Sequence, residues 1–311
     1  MSKNIFTIQN GITLLNGNEI LVKGLRCSNA LLTDKTVYDL IDSLDLYRSY
    51  GLNTISVFLM GSRYGDIKGY HEDASLNPLY AQRLGKIIEA ADDKGMIVLV
   101  GCLYWGTSKA KWESWTQAEA NRAIENTVKW LKEKDYRNVF IDVDNEGMAR
   151  KFAGFDTREL ILAAKSVDES FMTGSNYKGF PPDEADLALH FSEKAPGKPY
   201  IESESSPNNA PGGYWAFYSR IRIKDEFYQE GEMRNYIRIG IYTEEMKKDL
   251  LEKTKAHLDN GMGFMLGSTW LQAVPPYGPN TLLGGYGGES DPGIRWWMEF
   301  VRDNYGYESY R

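Results

Sequence analysis

The chain has 311 residues, 42% hydrophobic and 25% charged, an ordinary globular composition that is long enough to bury a large core. Its net charge of -7, with no basic run, excludes general attraction to nucleic acid or to acidic membrane surfaces. No run of 18 apolar residues occurs, so nothing reads as a membrane span. The opening MSKNIFTIQNG lacks the long apolar core of a signal peptide. The expectation is a cytoplasmic protein, or a secreted or periplasmic one whose signal has been removed. Cys27 and Cys102 lie in strand-like segments without C-x-x-C spacing and read as two buried thiols.

Read forward, IFTIQNGITLLNGNEI alternates around Asn-Gly pairs, the signature of a small hairpin, expected to span 1–18 and close the barrel floor. Eight β-branched runs follow: 19–27, 53–60, 96–105, 138–146, 171–176, 186–191, 199–205 and 263–270. Amphipathic segments stand between them. Tyr38 to Tyr50 carries Leu40, Ile41, Leu44 and Tyr47 at helical spacing, and Gly51 stops it. Leu79 to Lys94 and Ala118 to Lys134 behave alike. Thr243 should cap a helix running to Asn260, with Gly261 after it. Asp291-Pro292 reads as the cap and first turn of the last helix. Strand and helix alternating eight times predict an α/β fold, a closed parallel (β/α)8 TIM barrel forming one catalytic domain over 1–311. A doubly wound open sheet would show a glycine-rich turn after the first strand, and none is present.

The fourth strand, FIDVDNEGM, carries Asp142, Asp144 and Glu146 at every second position, so alternation should set all three on one face. Val139, Ile141 and Val143 form the opposite, apolar set. The seventh strand ends in Glu202-Ser203-Glu204. Barrel active sites are built where strands end, and the fourth and seventh strands lie across the ring from each other. Two carboxyl groups facing across the mouth suit glycoside hydrolysis, one protonating the leaving oxygen and the other attacking carbon or activating water.

On these residues the chain resembles the clan A retaining glycoside hydrolases, the (β/α)8 enzymes that include cellulases and mannanases. Asn145-Glu146 matches the Asn-Glu pair ending the clan's fourth strand, which implies Glu146 as general acid/base and Asn145 on the sugar 2-hydroxyl. Glu204 stands five residues after Pro199, as does the clan's nucleophile. Asp142 matches an acid four before the acid/base, His190 the histidine of the sixth strand, and Trp270 the aromatic ending the eighth. KGLR at 23–26 resembles the clan's entry to the first strand. The clan often places an arginine in the second strand, where this chain has Ser56. Arg26, at the end of the first strand, is the candidate to supply that positive charge and to partner Asp142 or Asp144, since buried carboxylates need such partners. The resemblance implies cleavage of a β-linked polysaccharide or oligosaccharide, with no metal and no cofactor; a monomer is expected, and the length of the loops favours a cleft and endo action.

Aromatic rings stack on sugar faces, and the stretch LYWGTSKAKWESW puts Tyr104, Trp105, Trp112 and Trp115 after the third strand. Tyr104, Trp105 and Trp270 are taken as substrate-binding. The long stretches 205–242 and 271–291 carry Tyr214, Trp215, Phe217, Tyr218, Tyr277 and Tyr286 and read as cleft walls. Arg63, Lys109, Lys111 and Lys178 read as solvated charges, or as contacts to an anionic sugar. Two other classes compete. Asp142, Asp144, Glu146, Glu202 and Glu204 are also a donor set for Mg²⁺ in a lyase or isomerase barrel. A non-catalytic sugar-binding barrel is the third reading.

Overall fold

The computed structural model describes residues 2–61, 67–106, 108, 110–205, 242–267, 284–288 and 290–306. Eight parallel strands close into a barrel: β4 (Lys23–Arg26), β5 (Thr54–Phe58), β6 (Ile97–Leu103), β7 (Val139–Asp144), β8 (Met172–Ser175), β9 (Leu187–Leu189), β10 (Tyr200–Ser205) and β11 (Gly263–Leu266). Each pairs with its sequence neighbour, and β11 closes the ring by pairing with β4 through Phe264↔Lys23 and Leu266↔Leu25. Most residues of these strands are fully buried, as expected where one face meets the barrel interior and the other meets helices.

Helices α1 (Asp34–Ser49), α2 (Pro78–Asp92) and α3 (Gln117–Glu133) follow the first three barrel strands. Their starts are fixed by side-chain caps. Thr33 and Thr116 form capping boxes with Thr36 and Glu119, and Asn77 accepts from Leu79 N–H ahead of Pro78. A short α4 (Met148–Ala153) and α5 (Thr157–Val167) follow β7. Helix α6 (Glu244–Leu258) is capped by Thr243, as the sequence predicts.

Two expectations are corrected. Strand and helix do not alternate eight times, because no helix follows β8 or β9. Those connections carry Pro181-Pro182 and Pro196-Gly197-Lys198-Pro199, which deny a helix its N–H groups. Nor does Asp291-Pro292 open the last helix. Asp291 to Gly293 is instead a strand, β13, antiparallel to β12 (Gly284–Gly288), and the Asp291 carboxylate accepts from Tyr286 N–H at 3.1 Å. The last helix, α7, runs Arg295–Tyr305.

The first residues form a three-stranded meander rather than one hairpin: β1 (Phe6–Gln9), β2 (Ile12–Leu15) and β3 (Asn18–Glu19). Both turns are Asn-Gly with φ positive at each residue, the conformation that suits a two-residue hairpin loop. The meander is tied to the amino-terminal end of the barrel. Phe6 packs on Phe140 with ring centroids 5.1 Å apart, its N–H bonds Arg137 C=O, and Asp92 accepts from the backbone of Lys3 and Asn4. Cys27 and Cys102 are free and buried, and burial pushes both thiols up to about 12.

Phe6 is buried at the end of the barrel opposite the strand termini. Phe6→Ala should therefore cost about 3 kcal/mol of stability. Urea unfolding with a parallel activity assay checks this, and activity per folded molecule should be unchanged.

Candidate active site

Arg26, the last residue of β4, is fully buried. Gly101 on β6 leaves room for the Phe58 ring, which would lie 2.0 Å from any Cβ there, and the Arg26 guanidinium sits over that ring at 4.6 Å. Tyr104 stands edge-on to Phe58 and 5.9 Å from the guanidinium. Arg26 Nη2 donates to Asn145 Oδ1 at 2.7 Å and forms an ion pair with Glu204 Oε2 at 3.0 Å. The sequence expectation that Arg26 takes up the charge missing at Ser56 has a simple geometry: the two residues are register partners on adjacent strands.

Of the three acids on the fourth strand, only two keep the expected alternation. Asp142 and Asp144 lie within β7, but Glu146 falls in a single 3-10 turn, Asn145–Gly147, beyond it. Glu146 has φ 53 and Gly147 φ 61, two successive left-handed residues. This conformation is costly for a glutamate and redirects its side chain at the strand end. Asp142 accepts from Asn176 Nδ2 at 2.8 Å, a residue at the end of β8 that the sequence reading missed. Asp144 accepts from the N–H groups of Ala149 and Arg150 at 2.7 and 3.1 Å, so it caps α4. Arg26 hydrogen-bonds neither of them and acts on Asp142 only through its field. Burial raises Asp142 to about 6 and Asp144 to about 7.

Across the mouth, Glu204 lies near the end of β10 with Gly267 against it. A Cβ at Gly267 would sit 2.9 Å from Glu204 Cγ, so only glycine fits. His190 follows β9 with φ 32, another strained non-glycine position. Its Nδ1 lies 2.5 Å from Glu202 Oε1, and its Nε2 4.0 Å from Glu146 Oε1. Glu202 also accepts from Glu204 N–H at 3.0 Å, and Tyr200 Oη donates to His190 C=O at 2.7 Å. Burial opposes a charge on His190, but Glu202, Glu204 and Glu146 outweigh it and raise the imidazole to about 9. Burial likewise works against ionised Glu202, yet the His190 charge and hydrogen bond hold its carboxyl below the usual range. Glu146 is raised to about 8, first by burial and then by Glu204.

Glu146, His190 and Glu204 thus converge, with one donor atom from each within 4.8 Å of the others. The five-carboxylate metal cage is not assembled. Asp142 and Asp144 are taken up by Asn176 and by the start of α4, and Glu202 by His190. The remaining three include an imidazole charged near neutrality and a carboxylate that already has Arg26 beside it, a poor match for Mg²⁺.

The expected stacking role of Trp105 is also corrected. The ring is 2% exposed and packs against Trp115 and Phe155 at 5.8 and 5.0 Å. Trp115 and Trp112 donate to the carbonyls of Glu72 and Tyr70, so these tryptophans bind one loop to the next. Tyr104 is buried beside Arg26, on the floor of the site. Lys111 pairs with Glu113. Trp270, Arg63, Lys109, Tyr214, Trp215, Phe217, Tyr218 and Tyr277 lie outside the described residues.

No family model matches the chain, and no curated protein matches it by sequence. Solved structures do. A glycoside hydrolase family 5 mannosidase from Rhizomucor miehei superposes with TM-score 0.55 at 10% identity, covering 96% of this chain and 97% of that one. A β-mannanase from the blue mussel Mytilus edulis gives 0.53 at 11% identity and 99% of both chains. An endocellulase from Pyrococcus horikoshii gives 0.52 at 12% identity, covering 90% of this chain and 98% of that one. The chain shares the (β/α)8 barrel fold of these enzymes. Among the described residues no helix is long and apolar enough to cross a membrane.

Two outcomes follow from this geometry. Glu202→Gln should move the His190 titration midpoint, read by imidazole NMR, well below 9, while Glu202→Asp restores part of it. Any reaction that uses protonated Glu146 should fail as pH rises through about 8, because the folded-state pKa lies above the ordinary glutamate value. A kcat profile from pH 5 to 10 measures that limb, and Glu146→Gln should abolish it.

Proposed function

We propose that the protein is a retaining glycoside hydrolase acting on a β-linked glycan by double displacement. The observation that carries this reading is the pair of glutamates at the ends of β7 and β10. Their oxygens approach within 4.8 Å, one is protonated near neutrality, and the other is ion-paired to a buried arginine. So close an approach of single oxygens favours the retaining class, with carboxyl groups about 5–5.5 Å apart, over the inverting one at about 6.5–9.5 Å.

Glu204 attacks the anomeric carbon and forms a covalent glycosyl-enzyme while Glu146 gives its proton to the leaving oxygen. Glu146, now ionised, takes a proton from the incoming water, which releases the sugar with its configuration retained. Arg26 Nη2 lies 3.0 Å from Glu204 Oε2, positioning that carboxylate, and anchors Asn145 through Oδ1. Asn145 Nδ2, buried, has no hydrogen-bond partner among the described residues, which leaves a donor for the sugar 2-hydroxyl. His190 places positive charge between the acids and stabilises Glu146 once it has lost its proton.

The structural neighbours named above as mannan- and cellulose-acting enzymes make β-1,4-linked mannans and glucans the first substrates to try. The long stretches after β10 and β11 favour a walled cleft and endo action. Reducing-sugar release should be measured for the wild type and Glu204→Gln on mannans, β-glucans, xylans and galactans. The expected result is turnover of one polymer by the wild type and a loss of about 10³-fold or more in the variant. Equal activity in both would remove Glu204 from the mechanism. Binding without turnover on any polymer would favour a sugar-binding barrel.

A further inference from the structure

Eight large hydrophobic residues are exposed among those described, and three are phenylalanines on loops at one end of the barrel. Phe152 is 58% exposed on α4, Phe180 62% exposed after β8, and Phe191 47% exposed after β9. Strands β7, β8 and β9 are consecutive in the ring, so these loops are neighbours on the rim that carries Glu146 and His190. Scattered exposed apolar residues need no explanation, but a group on one rim at a reactive centre does.

The rings are also held in place. Phe152 lies along the backbone of Gly106, its edge 2.6 Å from where a Cβ would be, so its inner side is seated and its outer side open. Lys151 Nζ stands 5.0 Å from its centroid. Phe191 packs on the His190 ring at 4.3 Å, and its N–H bonds Asn176 Oδ1 at 3.3 Å. Phe180 is fixed through its carbonyl, which accepts from Tyr177 Oη at 2.8 Å, while Tyr177 carries Arg150 of α4 over its ring at 4.7 Å. The three loops are thus cross-linked to one another, and a rigid aromatic surface loses little entropy when a ligand lies on it.

We propose that Phe152, Phe180 and Phe191 form the platform on which the leaving-group side of a β-linked oligosaccharide rests. This deepens the glycosidase reading and depends on it. The direction follows from the chemistry. The attacked ring must lie over Glu204, and the glycosidic oxygen must face the proton of Glu146. The departing sugars then extend past Glu146 and His190, towards α4 and the loops after β8 and β9. Sugar rings present an apolar face that stacks on aromatics, and an extended glycan meets several rings in turn. The occupant is therefore a chain of at least two sugars beyond the cleaved bond.

Two readouts separate this proposal from the reading beneath it. Binding of mannohexaose and cellohexaose is measured by calorimetry in the Glu204→Gln background, with and without each Phe→Ala substitution. Each substitution should weaken binding of the preferred hexaose roughly three- to tenfold. Turnover of mannobiosyl and cellobiosyl β-fluoride is measured in the otherwise wild-type protein. Fluoride leaves without a sugar behind it, so Phe152→Ala and Phe180→Ala, which do not touch His190, should keep wild-type rates there while losing kcat/KM on the hexaose. Hexaose binding unaffected by all three substitutions, or absent altogether, overturns the platform even if the fluorides are turned over. Loss of fluoride turnover only in Glu204→Gln sustains the catalytic reading separately. Substitutions that abolish self-association in sedimentation but spare sugar binding would make the patch a protein interface and overturn the proposal.

Discussion

A single buried guanidinium organises the open end of this barrel. Arg26 is wholly removed from water; its charge is met by Glu204 and its Nη2 donor by Asn145, with Phe58 and Tyr104 beneath. Removing either acidic or cationic partner of such a pair leaves an uncompensated charge in a low-dielectric setting, so the pair is held by mutual need. One positive charge cannot balance every acid at the mouth. The second cation is His190, positive because Glu202 grips its Nδ1. The two cations divide the labour: Arg26 fixes Glu204, and His190 faces Glu146.

That division explains why two similar glutamates differ. Glu146 lies farther from the guanidinium, is largely desolvated though not fully buried, and feels the charge of Glu204, so it holds its proton to about 8. Chemically equal groups acquire unequal surroundings through distance to a cation, an arrangement that suits the proposed acid–base chemistry. Backbone strain contributes too. Glu146 and His190, both non-glycine residues at positive φ, sit at the ends of their strands facing each other. Strain of this kind persists where surrounding bonds over-determine the geometry. Here Asp144 pins the start of α4 immediately after Glu146, and Tyr200 holds the His190 carbonyl.

The barrel was legible in the sequence because its signal is repeated. Eight β-branched runs, capping threonines at 33, 116 and 243, and Asn-Gly turns each say something local that the fold agrees with. The Asn145-Glu146 and Glu204 positions were legible because strand ends are where a barrel exposes side chains. What escaped was pairing at a distance. Nothing in the spacing links Asp142 to Asn176 or His190 to Glu202, since those contacts depend on stagger between strands. Trp105 misled because an aromatic near a strand end looks the same whether it faces a cleft or a neighbouring loop. Asp291-Pro292 misled because a capping residue before proline is equally good turn chemistry in a hairpin.

The run of three acids on the fourth strand resolves into three separate uses. Asp142 sits deepest and is answered by an amide, which costs less than a second buried cation would. Asp144 ends the strand and accepts two helix N–H groups, so its charge, where present, lies at the positive end of a dipole. Glu146 leaves the strand through a left-handed turn and is alone in facing the opposing carboxylate. Acidic residues at even spacing therefore meet an amide, a helix start and the opposing carboxylate in order of height along the barrel. Only the uppermost group, freed from the ladder by Gly147, combines partial exposure with a retained proton. The two lower acids shape the backbone on which that group stands: one orders the strand end from within the barrel, and the other fixes the helix that follows.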